Sequence, residues 1–325
     1  MSATERRPST AEQMGRTTTP GPFAAGLLAA AERRSDVVAV TADSAKYTDL
    51  LPFVERYPDR FVDVGIAEQN LIGVAAGLAM SGYTPVATTF AVFATRRALD
   101  FIAIQCALTN ENVKIVAGLP GICSTFGPTH QGIDDLAHMR VIPGMTVIDP
   151  CDPFDMEQAT VAAIEHDGPV YLRQLLGRHE PPVLDPARHP FVLGKARLLR
   201  EGADVGIVAS SIMVAPAVAA AEQLAADGVS AAVLQVSTLK PFDGDAVAEL
   251  GAATGRLVTA ENHSVIGALH SAVAESLVER GVAARVAAVG MQDEFGVFGT
   301  RPYVAEQHGL TAAGVLAACR RLLPG

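Results

Sequence analysis

The chain has 325 residues, of which 49% are hydrophobic, 18% charged and 5% aromatic, and its formal net charge is −10. That length and apolar content indicate a globular protein of about two domains and exclude a disordered chain. An acidic balance without a basic block argues against nucleic acid or an anionic membrane surface as a partner. No run reaches about 18 consecutive apolar residues, so a membrane-spanning helix is not expected. The low aromatic content, with no Trp, predicts a core of Ala, Val, Leu and Ile.

The N-terminal segment and the cysteines bear on where the protein works. Residues 1–20 are polar and lack the apolar centre of a signal peptide, so we expect a disordered lead-in. The cysteines are isolated and form no CxxC pair, which favours a reducing cytoplasm over a secreted or metal-bound domain. They are Cys106, Cys123, Cys151 and Cys319.

From Phe23 onward, short apolar runs alternate with Ala-rich stretches of helical period, which is typical of βα units around a parallel sheet. The predicted fold class is α/β, with two α/β domains and mainly parallel sheets. The first domain is placed at residues 21–178. Its predicted strands are Val37–Thr41, Phe61–Val64, Thr84–Thr88, Val113–Ala117, Thr146–Ile148 and Val170–Arg173. Its predicted helices are Pro22–Arg33, Glu68–Ser81, Val92–Thr109 and Pro153–Glu165.

A proline-rich segment then interrupts the alternation. Four prolines fall within residues 179–194, and because proline disfavours helices and removes hydrogen-bond donors, we predict a linker at 179–195. The alternation restarts beyond it and predicts a smaller α/β domain at 196–325. Its predicted strands are Val205–Ser210, Ala231–Gln235, Arg256–Ala260 and Arg285–Val289. Its predicted helices lie near Ala215–Asp227 and Gly267–Glu279.

One carboxylate stands at the start of a predicted helix rich in Gly and Ala. Glu68 follows an apolar strand in FVDVGIAEQNLIGVAAGLAMSG, residues 61–82. An acidic residue there could simply stabilise the helix N-terminus through the helix dipole, an effect of about 0.3–1 kcal/mol. Position alone therefore leaves a structural and a catalytic role open.

Longer segments make the sequence recognisable. VGIAEQNLIGVAAGLAMSGYTPVATTFAVF and GPTHQGIDDLAHMRVIPGMTVIDPCDP resemble the pyrimidine-binding domain of the transketolase family. The similarity continues through TLKPFDGDAV, ENHSVIGALHSAVAE and DEFGVFG in the smaller domain. It covers nearly the whole chain from about Pro22. The likeness is to the C-terminal subunit of split transketolases and, more distantly, to 1-deoxyxylulose-5-phosphate synthase.

The resemblance implies that the cofactor is thiamine diphosphate. Glu68 matches the family glutamate that hydrogen-bonds ring nitrogen N1′ of the aminopyrimidine and so promotes formation of the thiazolium ylide. Phe90 and Phe93 match aromatic positions beside that ring, although two Phe three residues apart could also be ordinary core. The other cofactor-binding positions implied are Asp43, Ile66 and Arg96. The last of these could instead face solvent.

The resemblance also implies the substrate-binding residues. His130 in GPTHQ matches the histidine that reaches a substrate carbonyl or hydroxyl, and its alternative is a histidine satisfied by backbone. Phe126 stands where the family has an acidic residue that binds a sugar hydroxyl, and Gly118 replaces a family histidine. Losing both polar contacts predicts an atypical substrate, because an unpaired hydroxyl is penalised. Arg173 and Arg178 lie near the family's phosphate-binding arginine, and either could instead form an ion pair.

The sequence lacks the residues that would hold the cofactor's diphosphate and metal. Families that bind thiamine diphosphate use a GDG motif followed about 25–30 residues later by Asn, whose oxygens suit Mg²⁺, and this chain contains no GDG. We therefore expect no metal ligand here, and a partner that holds Mg²⁺ and the diphosphate. That partner is predicted to be an N-terminal transketolase-like subunit carrying GDG, in an α₂β₂ heterotetramer.

The function predicted is that of the β subunit of a split transketolase-like enzyme, which transfers a two-carbon ketol or acyl unit between small carbonyl compounds. Two alternatives stay open. One is the β subunit of a 2-oxo acid decarboxylating component, and GIAEQN and GPTHQ favour transketolase over it. The other is a non-catalytic scaffold subunit, against which the presence of Glu68, Phe90, Phe93 and His130 weighs.

Overall fold

The computed structural model describes residues 19–175 and 180–324, which form two sheets flanked by helices. The strands are β1 (Val37–Thr41), β2 (Phe61–Asp63), β3 (Thr84–Phe90), β4 (Lys114–Gly118), β5 (Thr146–Ile148), β6 (Val170–Gln174), β7 (Arg197–Arg200), β8 (Val205–Ala209), β9 (Ala231–Gln235), β10 (Thr238–Lys240), β11 (Arg256–Ser264) and β12 (Arg285–Met291). The α-helices are α1 (Pro22–Arg33), α2 (Leu51–Arg56), α3 (Glu68–Met80), α4 (Ala91–Phe101), α5 (Asp135–Val141), α6 (Pro153–Glu165), α7 (Val214–Ala226), α8 (Gly244–Thr254), α9 (Leu269–Glu279), α10 (Arg301–Gln307) and α11 (Ala312–Leu322).

The first sheet has seven strands in the order β10-β5-β6-β4-β3-β1-β2, and all are parallel except β10. Its central strands are buried along their whole length, as expected for a sheet with helices on both faces. Alternate residues serve the two faces: Ala39 packs in a cluster with α1 and α6, and Val40 in one with α3 and α4. Helices α1 and α6 can approach closely because Gly26 has no side chain. A Cβ at that position would lie only 2.6 Å from the carbonyl oxygen of Glu157.

The second sheet has five strands in the order β12-β11-β8-β9-β7, and only β7 is antiparallel. Helices α7 and α11 pack together beside it, as do α8 and α9. Successive residues of β8 also face opposite sides of this sheet. Ile207 packs in the cluster with α7 and α11, and Val208 packs in the cluster that contains α3 and α4. The two mainly parallel sheets confirm the predicted fold class.

The two halves of the chain are interlocked. Strand β10 follows β9 of the second sheet, yet it pairs antiparallel with β5 at the edge of the first. One apolar cluster, which includes Val40 and Val208, runs through both halves. The described part of the predicted linker also packs on the first half, where the backbone N–H groups of Val183 and Leu184 donate to Oδ2 of Asp152 at 2.8 Å each.

Most predicted strands and helices agree with the structure to within a few residues. One predicted helix was drawn too long as a single α-helix: α4 ends at Phe101 and continues as a π-helical turn over Ile102–Ala107. The short antiparallel strands β7 and β10 were not predicted. The lead-in predicted at 1–20 lies outside the described residues except for its last two positions. Within residues 19–175 and 180–324, no helix has the length and apolar character of a membrane span.

Candidate active site

Several of the sequence-predicted site residues lie at one edge of the first sheet. Asp43 follows β1, Glu68 follows β2, Phe90 ends β3 and Gly118 ends β4. These strands are parallel neighbours, so their carboxyl ends open on the same edge. That edge is where open α/β sheets bind ligands.

Glu68 is a buried carboxylate at the first position of α3, with 4% of its surface exposed. The chain reaches it from β2 through a turn at Gly65, whose φ of +74° favours glycine. Its Oε1 accepts a hydrogen bond from Nη1 of Arg97 at 2.6 Å. Within the described residues Glu68 has no other hydrogen-bond partner, so its second oxygen, Oε2, is available to a ligand.

Five rings lie beside one another and form what we call the aromatic cluster: Tyr47, Phe90, Phe93, Phe126 and His130. Phe90 is at its centre, and its ring stacks at 5.7 Å from Phe93 and 6.2 Å from Phe126, with interplanar angles of 21° and 13°. His130 meets Phe93 edge-on at 5.0 Å. Such parallel ring faces are well suited to a flat heterocycle. Arg97 joins the cluster to Glu68, because its guanidinium lies 3.9 Å above the Phe93 ring.

His130 ends a short 3₁₀ turn, Pro128–His130, that holds its ring against the aromatic cluster. Nδ1 lies 2.9 Å from the hydroxyl of Thr129. Burial, assisted by the positive charge of Arg97, lowers the pKa of His130. The imidazole is therefore neutral near pH 7 and can both donate and accept a proton at a substrate oxygen.

The remaining predicted cofactor residues differ in placement. Asp43 is exposed in a left-handed conformation (φ +50°), and its backbone N–H donates to Oδ1 of Asp63 at 2.9 Å. The Gly65 N–H donates to the same oxygen, which ties the loops after β1 and β2 together. Ile66 lies on that second loop and is 75% exposed. Arg96 turns away from Glu68, since its Nε donates to Oδ2 of Asp134 at 2.8 Å.

The two positions that depart from the family pattern differ in their surroundings, since one lies among aromatic rings and the other has no room for a side chain. Phe126 is 45% exposed and completes the outer side of the aromatic cluster. Gly118 has no room for a side chain, because a Cβ there would lie 2.9 Å from Cγ2 of Thr48 and 3.2 Å from Oε1 of Gln174. The space that a histidine would need at position 118 is thus occupied by other residues.

Arg173 was predicted as a substrate-phosphate contact, and the structure places it elsewhere. Its side chain has no exposed surface and is bound by Asp135, with Nε 2.8 Å from Oδ2 and a second contact from Nη2 to Oδ1. Nη1 also lies 3.5 Å from Asp149 and donates to the carbonyl of Asn262. An arginine with every nitrogen engaged and buried cannot reach a substrate, so this expectation is corrected. Arg178 lies outside the described residues.

The buried ionic network around Arg173 joins the two halves of the chain. Burial alone would raise the pKa of Asp135, but Arg173 outweighs it and the pKa is lowered. Tyr171 adds a hydrogen bond to the same carboxylate at 2.6 Å. Opposite it, burial lowers the pKa of His263 to about 4, so that imidazole is neutral. The ion pair itself lies within the first half, and the hydrogen bond from Arg173 to the carbonyl of Asn262 joins it to the second half.

Sequence reasoning missed several contributors to the site. Arg97 was overlooked beside Arg96, although both occupy the same helix. Tyr47 was not considered, because nothing near it in the sequence indicated a ring contact. The segment DEFGVFG also reaches the site: Phe298 packs on the turn at Gly127, where a Cβ would lie 2.5 Å from its ring. The hydrophobic spacing of the sequence carries no signal for such contacts between distant segments.

Comparison with known proteins places these features in a family. Residues 18–175 match the transketolase pyrimidine binding domain, and residues 194–315 match the transketolase C-terminal domain. A transketolase family protein of Sinorhizobium fredii is 44% identical over 308 residues, which cover 94% of this chain and 89% of that protein. The chain belongs to the transketolase family.

Further relatives refine that placement. The 6-deoxy-6-sulfo-D-fructose transketolase subunit of a Clostridium species (strain MSTE9) is 44% identical over 91% of either chain. A solved structure described as split gene transketolase, inactive beta4 tetramer, has 42% identity and a TM-score of 0.85, covering 93% of this chain and 97% of that one. The match to 1-deoxy-D-xylulose-5-phosphate synthase 1 of Geobacter metallireducens, 37% identical, covers 94% of this chain but only 49% of that enzyme. Within the family, this chain corresponds to the C-terminal, or β, subunit of split transketolases.

Proposed function

We propose that this chain is the β subunit of a thiamine-diphosphate-dependent enzyme that transfers a two-carbon ketol or acyl unit between carbonyl compounds. The observation that carries the proposal is Glu68: a buried carboxylate with one oxygen available, next to parallel aromatic faces. An aminopyrimidine needs both a carboxyl partner for its ring nitrogen and flat surfaces on which to lie. The residues present therefore fit the pyrimidine half of the cofactor.

The roles of this chain's residues follow from that fit. Oε2 of Glu68 would bind ring nitrogen N1′ and exchange a proton with it. Phe90 and Phe93 would hold the pyrimidine by stacking, and the neutral His130 would donate to or accept from a substrate oxygen. When bound, thiamine diphosphate supplies the nucleophilic carbon for carbonyl chemistry.

Activity would require a second chain. This chain lacks the GDG motif, and within the described residues no cluster of His, Cys, Asp and Glu could hold a metal. We propose an N-terminal transketolase-like partner that carries GDG and holds Mg²⁺ and the diphosphate, assembled as α₂β₂. The solved relative described as an inactive β₄ tetramer supports this, because it is an assembly of β chains alone.

The substrate is proposed to differ from an ordinary phosphorylated ketose near its carbonyl. Phe126 presents a ring where a hydroxyl-binding carboxylate would be needed, and Gly118 leaves no space for a histidine. A hydroxyl facing that ring would lose its hydrogen bond to water without gaining another. A relative 44% identical is named for a sulfonated sugar, so donors without a phosphate belong among the candidates.

The test is reconstitution. The full chain is co-purified with a GDG-bearing partner, supplied with thiamine diphosphate and Mg²⁺, and assayed with a ketose phosphate, 6-deoxy-6-sulfofructose and pyruvate. Turnover by the pair but not by either chain, reduced at least about 100-fold in Glu68→Gln, supports the proposal. Glu165→Gln, at an exposed ion pair on α6, is the matched control.

Four outcomes would contradict the proposal. Full activity of this chain alone would refute the requirement for a second chain, and full activity of Glu68→Gln would refute the role of Glu68. Pyruvate consumption with release of carbon dioxide would favour the 2-oxo acid decarboxylating alternative. A stable pair that binds no cofactor would favour a non-catalytic scaffold.

A further inference from the structure

We propose that Arg97 is a positioning residue of this site: its guanidinium fixes Oε1 of Glu68 and leaves Oε2 to receive the aminopyrimidine. The inference rests on the function proposed above and assigns to Arg97 a role that it performs through Glu68. Nη1 of Arg97 donates a hydrogen bond of 2.6 Å to Oε1 of Glu68.

The phase of helix α4 decides which arginine does this. Arg96 and Arg97 are consecutive, and successive residues on an α-helix point about 100° apart. Arg96 consequently binds Asp134, whereas Arg97 projects toward α3 and binds Glu68. Phe93 lies one helical turn before Arg97, on the same side of α4, which places its ring 3.9 Å below the guanidinium.

The guanidinium is therefore held from two sides. The Phe93 ring supports one face by a cation–π contact, and the Glu68 carboxylate fixes the edge. The burial of the pair is unequal, since the Glu68 side chain is 5% exposed and that of Arg97 45%. A buried carboxylate needs a partner for its lost hydration, and one that binds a single oxygen restricts the rotation of the group without covering both oxygens.

Arg97 also acts on the second chemical group of the site. Its positive charge adds to burial in lowering the pKa of His130. Among the described residues, the other groups in contact with that imidazole are uncharged: the Thr129 hydroxyl and the rings of Phe90, Phe93 and Phe126. One cation thus both orients the carboxylate and helps keep the histidine neutral, which a purely structural ion pair would not do.

The first test uses the full-length chain without partner or cofactor. The midpoint of His130 titration is followed by NMR in histidine-labelled protein and assigned with His130→Gln. In Arg97→Gln the midpoint should rise, because a nearby positive charge is removed. Arg97→Lys should keep the parent midpoint, since it keeps the charge. Arg96→Gln, the same change one residue earlier, should not move it.

The second test measures thiamine diphosphate binding to the assembled pair by calorimetry. Arg97→Gln should weaken binding by about fivefold, the upper range for a partly exposed ion pair. Arg97→Lys should recover only part of the affinity, because an ammonium cannot both stack on Phe93 and hold the carboxylate edge. Thermal melting of each variant checks that the fold is retained.

The two tests separate this inference from the proposed function. If the parent pair binds no cofactor, the proposed function fails, while the titration still shows whether Arg97 acts on His130. If the parent pair binds cofactor, and Arg97→Gln binds it equally well with an unchanged His130 midpoint, Arg97 has no positioning role and the proposed function stands.

Discussion

Replacing Arg173 by Gln should destabilise the protein strongly, because the negative charge of Asp135 would stay buried without a cation beside it. Arg173 and Asp135 are both fully buried, and the arginine binds both oxygens of that carboxylate. Arg173 also lies 3.5 Å from Asp149, and burial raises the pKa of that carboxyl group. Glutamine would leave Asp135 without a cation and the carbonyl of Asn262 without its donor.

The magnitude follows from that geometry. Removing one partner of a buried, hydrogen-bonded ion pair costs about 3–5 kcal/mol, because the other charge stays buried and uncompensated. For a chain of 325 residues, that loss corresponds to a fall in melting temperature of roughly 4–7 °C. Arg320→Gln breaks an exposed pair with Asp227 and should change stability by no more than about 0.5 kcal/mol.

Chemical denaturation of the full chain gives the unfolding free energies. A double variant, Arg173→Gln with Asp135→Asn, should recover part of the loss, since neither buried charge then remains unpaired. The reasoning is refuted if Arg173→Gln loses less than about 1 kcal/mol. A selective rise in KM for a phosphorylated donor, with stability unchanged, would show instead that Arg173 contacts the substrate.

Two further predictions concern the substrate and the pH dependence of stability. Phe126→Asp should raise kcat/KM of the reconstituted pair for polyhydroxylated ketoses relative to the parent, because it restores a hydrogen-bond acceptor at a half-exposed position. The control is Phe295→Asp, at an exposed position outside the aromatic cluster. An unchanged donor preference in Phe126→Asp would contradict the prediction. Burial raises the pKa of Glu261 from 4.5 to about 8, so between those values the folded chain binds more protons than the unfolded chain and loses stability as the pH rises. Glu261→Gln should remove that slope from a series of melting curves, and an identical slope would show that Glu261 enters the fold charged.

The elements and the site were predictable to different extents. The alternation of apolar runs and Ala-rich stretches placed most strands and helices, since a buried parallel strand and its crossover helix each have a clear pattern. Strand β10 could not be placed, because three residues contain no period and its partner β5 lies about ninety positions earlier in the chain. Helices α2, α5 and α10 were missed because six or seven residues are too few for a clear helical period, and the longer helices α8 and α11 were not predicted either.

Within the site, the residues of a single sequence segment were easier to predict than the contacts between distant segments. Glu68, Phe90, Phe93 and His130 stand in segments similar to a known family, and the structure gathers them at one sheet edge. The choice between neighbouring arginines on α4 depends on helix phase to within one residue, which pattern reasoning does not reach. Burial of Arg173 depends on carboxylates 24 and 38 residues earlier that converge only in the folded chain.

Strand β10 determines when the first sheet can be completed as the chain is synthesised and folds. The free edge of β5 stays bare until the ribosome has released the residues near 240, long after the other six strands of that sheet have left the exit tunnel. An unpaired edge is a template for pairing with another chain. The nascent first half thus passes through a period in which it is prone to aggregate, and the second half ends that period by supplying the missing strand.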